Sequence, residues 1–285
     1  MTVAPKRVAV FTRRNPSKTA DAVHRLAVLA AEAGVELLVP SDEVDKHGLE
    51  DLPGATFDAD PLTADLALVF GGDGTILTTM RRYAGLGVPV FAVNFGAIGF
   101  LSTVERGDLD DALGRALRGE YEVLALPTLI AGASVGERVA VNDISFHRRQ
   151  DLRVAELGFS VQGQELGQVR CDGLVASTPA GSTGYNLANG GPVLAWGVSG
   201  FVVSFIAPHT LTARALVVAP DDVLEVVNRS ADEPVDLTTD GRRICALEPR
   251  ESVEIHFAND QAHLAHIDGA GFYERLRTKF GRLSY

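Results

Sequence analysis

From residue 8 to about residue 118 the chain alternates two hydrophobic patterns. Val8–Phe11 is an unbroken apolar run of buried-strand length. After the polar turn Thr12–Lys18, the residues Val23, Leu26, Ala27 and Ala30 recur at three- and four-residue steps until Gly34, the spacing of a one-faced helix. Val35–Val39, closed by Pro40, and Leu66–Phe70 and Val88–Val93 read as further strands. A helix is expected after Gly71–Thr75 through Met80 and Tyr83, and Leu109, Ala112, Leu113, Ala116 and Leu117 stripe one face of Asp108–Arg118. Repeated strand–helix–strand units predict an α/β domain with a parallel sheet covered by helices on both faces.

After Gly119 the pattern changes to short, partly alternating segments separated by turns. Tyr121–Leu126, Val139–Phe146, Leu157–Val161, Gly173–Ser177, Phe201–Ala207, Ala215–Val218, Val223–Val227, Val253–Phe257 and Leu264–Ile267 read as strands. Gly163, between two glutamines, marks a hairpin turn. This series predicts an all-β, sandwich-like domain. Phe272–Phe280 returns to helical spacing and is expected to pack back on the first domain. The predicted organisation is residues 1–119 with 270–285, and residues 120–269.

Composition narrows the function classes. Hydrophobic residues make up 46% and charged residues 22%, the balance of a globular protein with a large core. With 26 Lys+Arg against 37 Asp+Glu, the net charge of −11 argues against nucleic acid or an anionic membrane as partner. Two distant cysteines, Cys171 and Cys245, form neither a disulfide framework nor a zinc site and suit a reducing compartment. With no leader-like start and no apolar stretch of spanning length, the expectation is a cytoplasmic protein.

Gly71-Gly72-Asp73-Gly74-Thr75 stands where a buried strand gives way to a helix, the place where open α/β sheets bind ligands. Glycines there let backbone N–H groups approach phosphate oxygens, and a helix N-terminus favours negative charge. Asp73 repels phosphate, so it points to chemistry or to a hydroxyl contact; a tight turn with an Asp cap is the plainer reading. Neither a P-loop nor a GxGxxG signature is present. A second glycine-rich block, Ser177–Pro192, is long for a structureless loop in a compact domain and carries hydroxyls, amides and one ring suited to a nucleotide. Between the blocks lie Asn142 and Asp143, which can serve one site only at a strand end or bulge, because strand neighbours face opposite ways; taken alone, the pair reads as surface polar residues.

Together these blocks resemble the NAD kinases. GGDGT at 71–75, the pair at 142–143 and DGLVASTPAGSTGYNLANGGPVL at 172–194 occur in that family's order; Asn94–Leu101 and Ala207–Leu216 are similar to two further segments. The resemblance implies phosphorylation of NAD from ATP or polyphosphate at the 2′-hydroxyl of the adenosine ribose. It implies Asp73 as catalytic carboxylate and Gly71, Gly72, Gly74 and Thr75 as phosphate-binding residues. Asp73 and Gly74 with Asn142, Asp143, Arg153, Arg170, Asp172, Thr183, Gly184, Tyr185, Asn186, Leu187 and Ala188 would meet NAD. A divalent metal, magnesium, would be held through the donor phosphates, since no metal-ligand cluster is visible and His263 and His266 read as structural. A homodimer or homotetramer is implied, and Arg170 would go with preference for NAD over NADH.

The chain departs from the family pattern at several positions. The pair is Asn-Asp where Asn-Glu is usual, Ala180 replaces Thr, and Gly184 replaces Ala. Thr78 stands where many relatives carry a basic residue, and Arg242 where some carry Gln; Arg13, Arg14 and Lys18 are candidates to supply the phosphate-facing charge. Two other readings compete. A lipid kinase sharing the GGDGT loop leaves residues 172–194 without a role and fits poorly with −11, and a non-catalytic nucleotide sensor gains nothing from Asp73.

Overall fold

The computed structural model describes residues 3–48, 51–96, 99–102, 104–149, 153–267 and 271–281. Ala97 and Ile98 of the segment Asn94–Leu101, and residues 1–2, 270 and 282–285 of the expected domain, lie outside them. The chain divides into two compact units: the stretch to Ala125 together with that from Ala262 on, and Leu126–Gln261.

In the first unit the elements run β1 (Arg7–Thr12), α1 (Ala20–Ala33), β2 (Glu36–Val39), α2 (Ser41–His47), β3 (Ala55–Phe57), β4 (Leu66–Gly71), α3 (Asp73–Arg82), β5 (Val90–Asn94), β6 (Val104–Glu105) and α4 (Leu109–Leu117). The strands are parallel in the order β3-β2-β1-β4-β5, with β6 beside the end of β5. All six residues of β4 are buried, as expected of a parallel strand covered on both faces. Ala22, Val23, Leu26, Ala27 and Ala30 of α1 share one core with Ala112, Leu113, Ala116 and Leu117 of α4, the two stripes visible in the sequence. The helix α2 and strand β3 were not expected. Their signal is weak because α2 is anchored by a polar network rather than an apolar stripe: Glu43, 2% exposed, accepts from the Thr12 N–H at 3.0 Å and its hydroxyl at 2.6 Å.

The second unit holds β7 (Glu122–Ala131, which begins in the first), β8 (Arg138–Ala140), β9 (Asp143–Arg148), β10 (Ala155–Val161), β11 (Gln164–Cys171), β12 (Gly173–Ser177), α5 (Tyr185–Ala188), β13 (Phe201–Ile206), β14 (Leu216–Val218), β15 (Leu224–Asn228), β16 (Val235–Thr239), β17 (Arg242–Leu247) and β18 (Ser252–His266). One antiparallel sheet runs β14-β13-β12-β9-β16-β17, and a second carries β11-β10-β15-β18 with the β7–β8 pair. Phe146, Leu174, Phe201 and Leu237 of the first meet Leu157, Val226, Val253 and Ile255 of the second in one core.

Gln162 (φ 51°) and Gly163 (φ 72°) both take the left-handed conformation of a tight hairpin turn between β10 and β11. Asp240 (φ 46°) and Gly241 (φ 72°) do the same between β16 and β17, a hairpin the sequence reading passed over. Strand β18 is continuous where two strands were expected; its last residues Leu264 and Ala265 pair in parallel with Val90 and Phe91 of β5. The tail forms α6 (Phe272–Phe280), in the first unit, with Phe280 against Phe100. Among the described residues no helix is long and apolar enough to cross a membrane.

Candidate functional site

In the first unit the carboxyl end of β4 passes through Gly72 into α3, whose first residue is Asp73. That first turn, in which the Thr75 N–H donates to the Gly72 carbonyl at 2.9 Å, faces a cleft of about 720 Å³ lined by Arg13, Arg14, Asn15, Asp73, Gly74 and Thr75 among others. A Cβ on Gly74 would meet nothing within 4 Å, so the turn lies open to a ligand there. Arg13 is fixed by its guanidinium, which donates to the Phe95 carbonyl at 2.6 Å, and by its N–H, which donates to the Phe70 carbonyl at 3.0 Å. Of the three basic residues expected to face phosphate, Arg13 and Arg14 line this cleft, while Lys18 is exposed in the following turn. Thr78 turns its hydroxyl back on the Gly74 carbonyl at 2.9 Å.

Asp73 is held from behind. Its carboxylate accepts the N–H of Phe100 at 2.8 Å and of Leu101 at 3.3 Å. A Cβ at position 99 would lie 1.8 Å from Asp73 Oδ1, so any residue larger than glycine there must displace that carboxylate. Arg275 of α6 donates to the carbonyls of Phe100 and Ser102, and the Lys279 ammonium sits 4.1 Å from the centre of the Phe100 ring. Burial lowers the pKa of both cations, and the Asp73 carboxylate offsets part of that fall. The sequence reading assigned neither residue a role.

In the second unit Asn142 directly precedes β9 and Asp143 begins it, so the pair stands at a strand end. Asp240, from the β16–β17 turn, accepts the N–H groups of Val141, Asn142 and Asp143 at 3.1, 2.7 and 3.2 Å. The Asn142 carbonyl accepts from Thr178 N–H at 2.9 Å, and a Cβ on Gly181 would lie 2.1 Å from it, so the second glycine-rich block packs directly on the pair. Asn142 Oδ1 is buried with no hydrogen-bond partner among the described residues. Asp143 is 8% exposed, and burial first, then the neighbouring Asp240 carboxylate, raises its pKa to about 7.

Ser177–Pro192 is not structureless: it holds a helical turn at Gly181–Thr183 and then α5. Tyr185 is 36% exposed and stacks on His147 with ring centres 5.5 Å apart; burial and the carboxylates of Asp143 and Asp172 raise its pKa. Asp172 accepts from Arg148 Nε at 2.6 Å. Thr183 and Leu187 are half-buried, and Gly184 and Ala188 are exposed. Asn186 differs: it is fully buried, and its amide donates to the carbonyls of Ser182 and Pro192, both at 2.9 Å. Asn142, Asp143, Asp172 and Tyr185 thus form one group. Arg153 is exposed, and Arg170 opens on to a separate groove of about 610 Å³, with Glu156, His209 and Arg214 in its walls. Asp240 and His147 join this candidate group and were not foreseen from the sequence; the Asp-Gly pair at 240–241 signals the turn but not its contact with Asp143.

Comparison with known proteins matches both parts of the chain. The profile of the ATP-NAD kinase N-terminal domain matches residues 9–121, and that of the ATP-NAD kinase C-terminal domain matches residues 141–267. An NAD kinase of Geotalea daltonii is 32% identical over 279 residues, which cover 96% of this chain and 98% of that one. An NAD kinase of Syntrophotalea carbinolica is 35% identical over 226 residues, covering 78% and 79%. Among solved structures, yeast NADH kinase complexed with NADH superposes with a TM-score of 0.86 at 20% identity, covering 98% of this chain and 88% of that one. An NAD kinase from Archaeoglobus fulgidus in complex with ATP gives 0.74 at 24% identity, covering 97% and 98%. At these identities the structural likeness establishes the fold.

Proposed function

We propose, on the premise that the chain belongs to the NAD kinase family, that it transfers the terminal phosphoryl group of ATP to the adenosine-ribose 2′-hydroxyl of NAD. The observation that carries this reading is Asp73, a carboxylate fixed by two backbone N–H groups at the mouth of an arginine-lined cleft. Asp73 takes the 2′-hydroxyl proton while the oxygen attacks the γ-phosphorus; the bond to the bridging oxygen breaks and ADP leaves. General-base assistance of this kind is worth about 10²–10⁴-fold. Gly72 and Gly74 and the Thr75 hydroxyl hold phosphate at the cleft, with Arg13 and Arg14 balancing charge where Thr78 carries none; Gly71, buried at the end of β4 and packed on Thr75, shapes the turn.

The second unit recognises the acceptor. Asn142 Oδ1 and Asp143 take up adenosine donors, and Tyr185 with Thr183, Gly184, Leu187 and Ala188 lines the nucleoside cleft. Asn186 serves by holding that loop in shape, its amide being engaged within the loop. Asp172 and Arg153 belong to the rim. A magnesium ion would be held through the donor phosphates in the first unit's cleft, where the Thr75 hydroxyl offers one hard oxygen and Asp73 is kept for the proton. When bound, magnesium neutralises charge on the donor phosphates. We also assign the protein to the cytoplasm and to a homodimer or homotetramer.

The reading is tested by incubating the protein with NAD, magnesium and either ATP or polyphosphate, then detecting NADP with an NADP-specific dehydrogenase. NADP formation with at least one donor is expected, together with its loss in Asp73→Asn. No NADP with either donor, despite demonstrated NAD binding, would favour a non-catalytic sensor; phosphorylation of a lipid alcohol instead would favour a lipid kinase.

A further inference from the structure

The cleft of the first unit is served by a helix from the opposite end of the chain. Phe100 is the joint: its N–H holds the Asp73 carboxylate, its carbonyl accepts from Arg275, and its ring lies beneath Lys279. Arg275 reaches the Ser102 carbonyl as well, so one guanidinium clamps both ends of the short turn that supplies the N–H groups to Asp73. Both bonds leave one nitrogen, Nη1, which the planar guanidinium holds in a fixed direction; a freely rotating ammonium would hold the two carbonyls only loosely. An ordinary structural arginine would be placed at the surface, where its charge costs little. This one is mostly buried, and Lys279 partly so, both within electrostatic reach of Asp73. Burying two cations is unfavourable unless a negative group faces them.

We propose that Arg275 and Lys279 are positioning residues for phosphoryl transfer. Arg275 locks the Gly99–Ser102 turn so that the Asp73 carboxylate is aimed into the cleft, and Lys279 clamps the Phe100 ring and adds positive charge behind that carboxylate. The inference rests on the reading of Asp73 as the base.

The test is steady-state kinetics on the full-length protein with ATP, magnesium and NAD. The variants are Arg275→Met, Arg275→Lys and Lys279→Met, with thermal melting and NAD binding measured in parallel. Arg275→Met is expected to lower kcat at least thirtyfold while the KM values for NAD and ATP stay within about threefold. Arg275→Lys should recover part of that loss, since charge returns without the fixed planar group, and Lys279→Met should lower kcat about three- to tenfold. A purely structural role would lower the melting temperature and leave kcat per folded molecule unchanged; that outcome, or kcat within twofold in all three variants, overturns the proposal. If Arg275→Met does not fold, the same limits apply to Arg275→Lys and Lys279→Met. Asp73→Asn separates the two failures. An active Asp73→Asn sinks the base reading, whereas an inactive Asp73→Asn beside fully active α6 variants sinks this inference alone.

Discussion

Asp73 in the first unit accepts two backbone N–H bonds and has two cations within electrostatic reach, whereas Asp143 in the second is buried beside another carboxylate, Asp240. Under the proposed function, the contrast follows from what each unit would hold. A group that must act on a reacting atom needs a fixed direction and compensating charge, and the first unit supplies both from Phe100, Leu101 and α6. A group that recognises a neutral nucleoside needs a dry surface with unmet hydrogen-bonding capacity. The second unit provides that in Asn142 Oδ1, buried and unpartnered among the described residues, and in a carboxyl whose proton is easily retained. Asp240 bears on both requirements: three N–H bonds to it shape the Val141–Asp143 turn, and its charge raises the Asp143 pKa.

Removing the fixed direction in the first unit should have the largest effect. In Gly99→Ala the added methyl displaces the Asp73 carboxylate, so kcat is expected to fall by about 10²-fold or more with NAD binding retained. Equal kcat in the variant would show that the aim of Asp73 is not set by the Gly99 turn. The matching change in the second unit, Gly181→Ala, drives a methyl into the Asn142 carbonyl. It should cost about 3 kcal/mol of stability, read by urea unfolding, and raise KM for NAD while leaving kcat near normal.

Asp143 makes the comparison pH-dependent. Its carboxyl titrates near 7 in the folded protein and at its ordinary, lower value when unfolded, so between these values the folded state carries a proton the unfolded state lacks. The stability from that proton is therefore full at low pH and is lost as pH rises towards 7, at up to about 1.4 kcal/mol per pH unit. Relative to Asp143→Asn, which cannot titrate, wild-type stability should fall by about 2 kcal/mol between about pH 5 and about pH 6.5. A constant difference would mean that Asp143 ionises normally. The smallest effect is expected at Arg170, exposed on its own groove. Wild type should use NAD better than NADH, and Arg170→Gly should narrow the ratio of kcat/KM values by less than tenfold, the scale of a rim contact of about 0–1 kcal/mol. An unchanged ratio removes Arg170 from acceptor choice.

The sequence made the first unit's framework legible because α1 and α4 bury regular stripes and β4 is an unbroken buried apolar run. It left α2 and β3 unseen because Glu43 anchors α2 through Thr12, an arrangement without periodicity. In the second unit, Asp260 at φ 52° interrupts the pattern of β18 and reads as a strand break. Asp73 could be picked out because it lies in a glycine-rich strand-to-helix turn, whereas Asn142 and Asp143, which alone read as surface polar residues, were singled out only by the family resemblance. Asp240 and Arg275 could not be linked to them, because the contacts that give them roles join residues 97 and 175 positions apart, Asp143 with Asp240 and Phe100 with Arg275.

The division of labour between the two units is tested most directly by measuring kcat and KM for NAD in Asp73→Asn and Asn142→Ala side by side. Asp73→Asn is expected to lose at least about 10²-fold in kcat with NAD affinity within about threefold of wild type. Asn142→Ala is expected to raise KM for NAD about tenfold, the scale of a lost buried hydrogen bond, with kcat within a few-fold of wild type. An Asp73→Asn protein that keeps most of its kcat, or an Asn142→Ala protein that loses kcat at unchanged KM, would contradict the account.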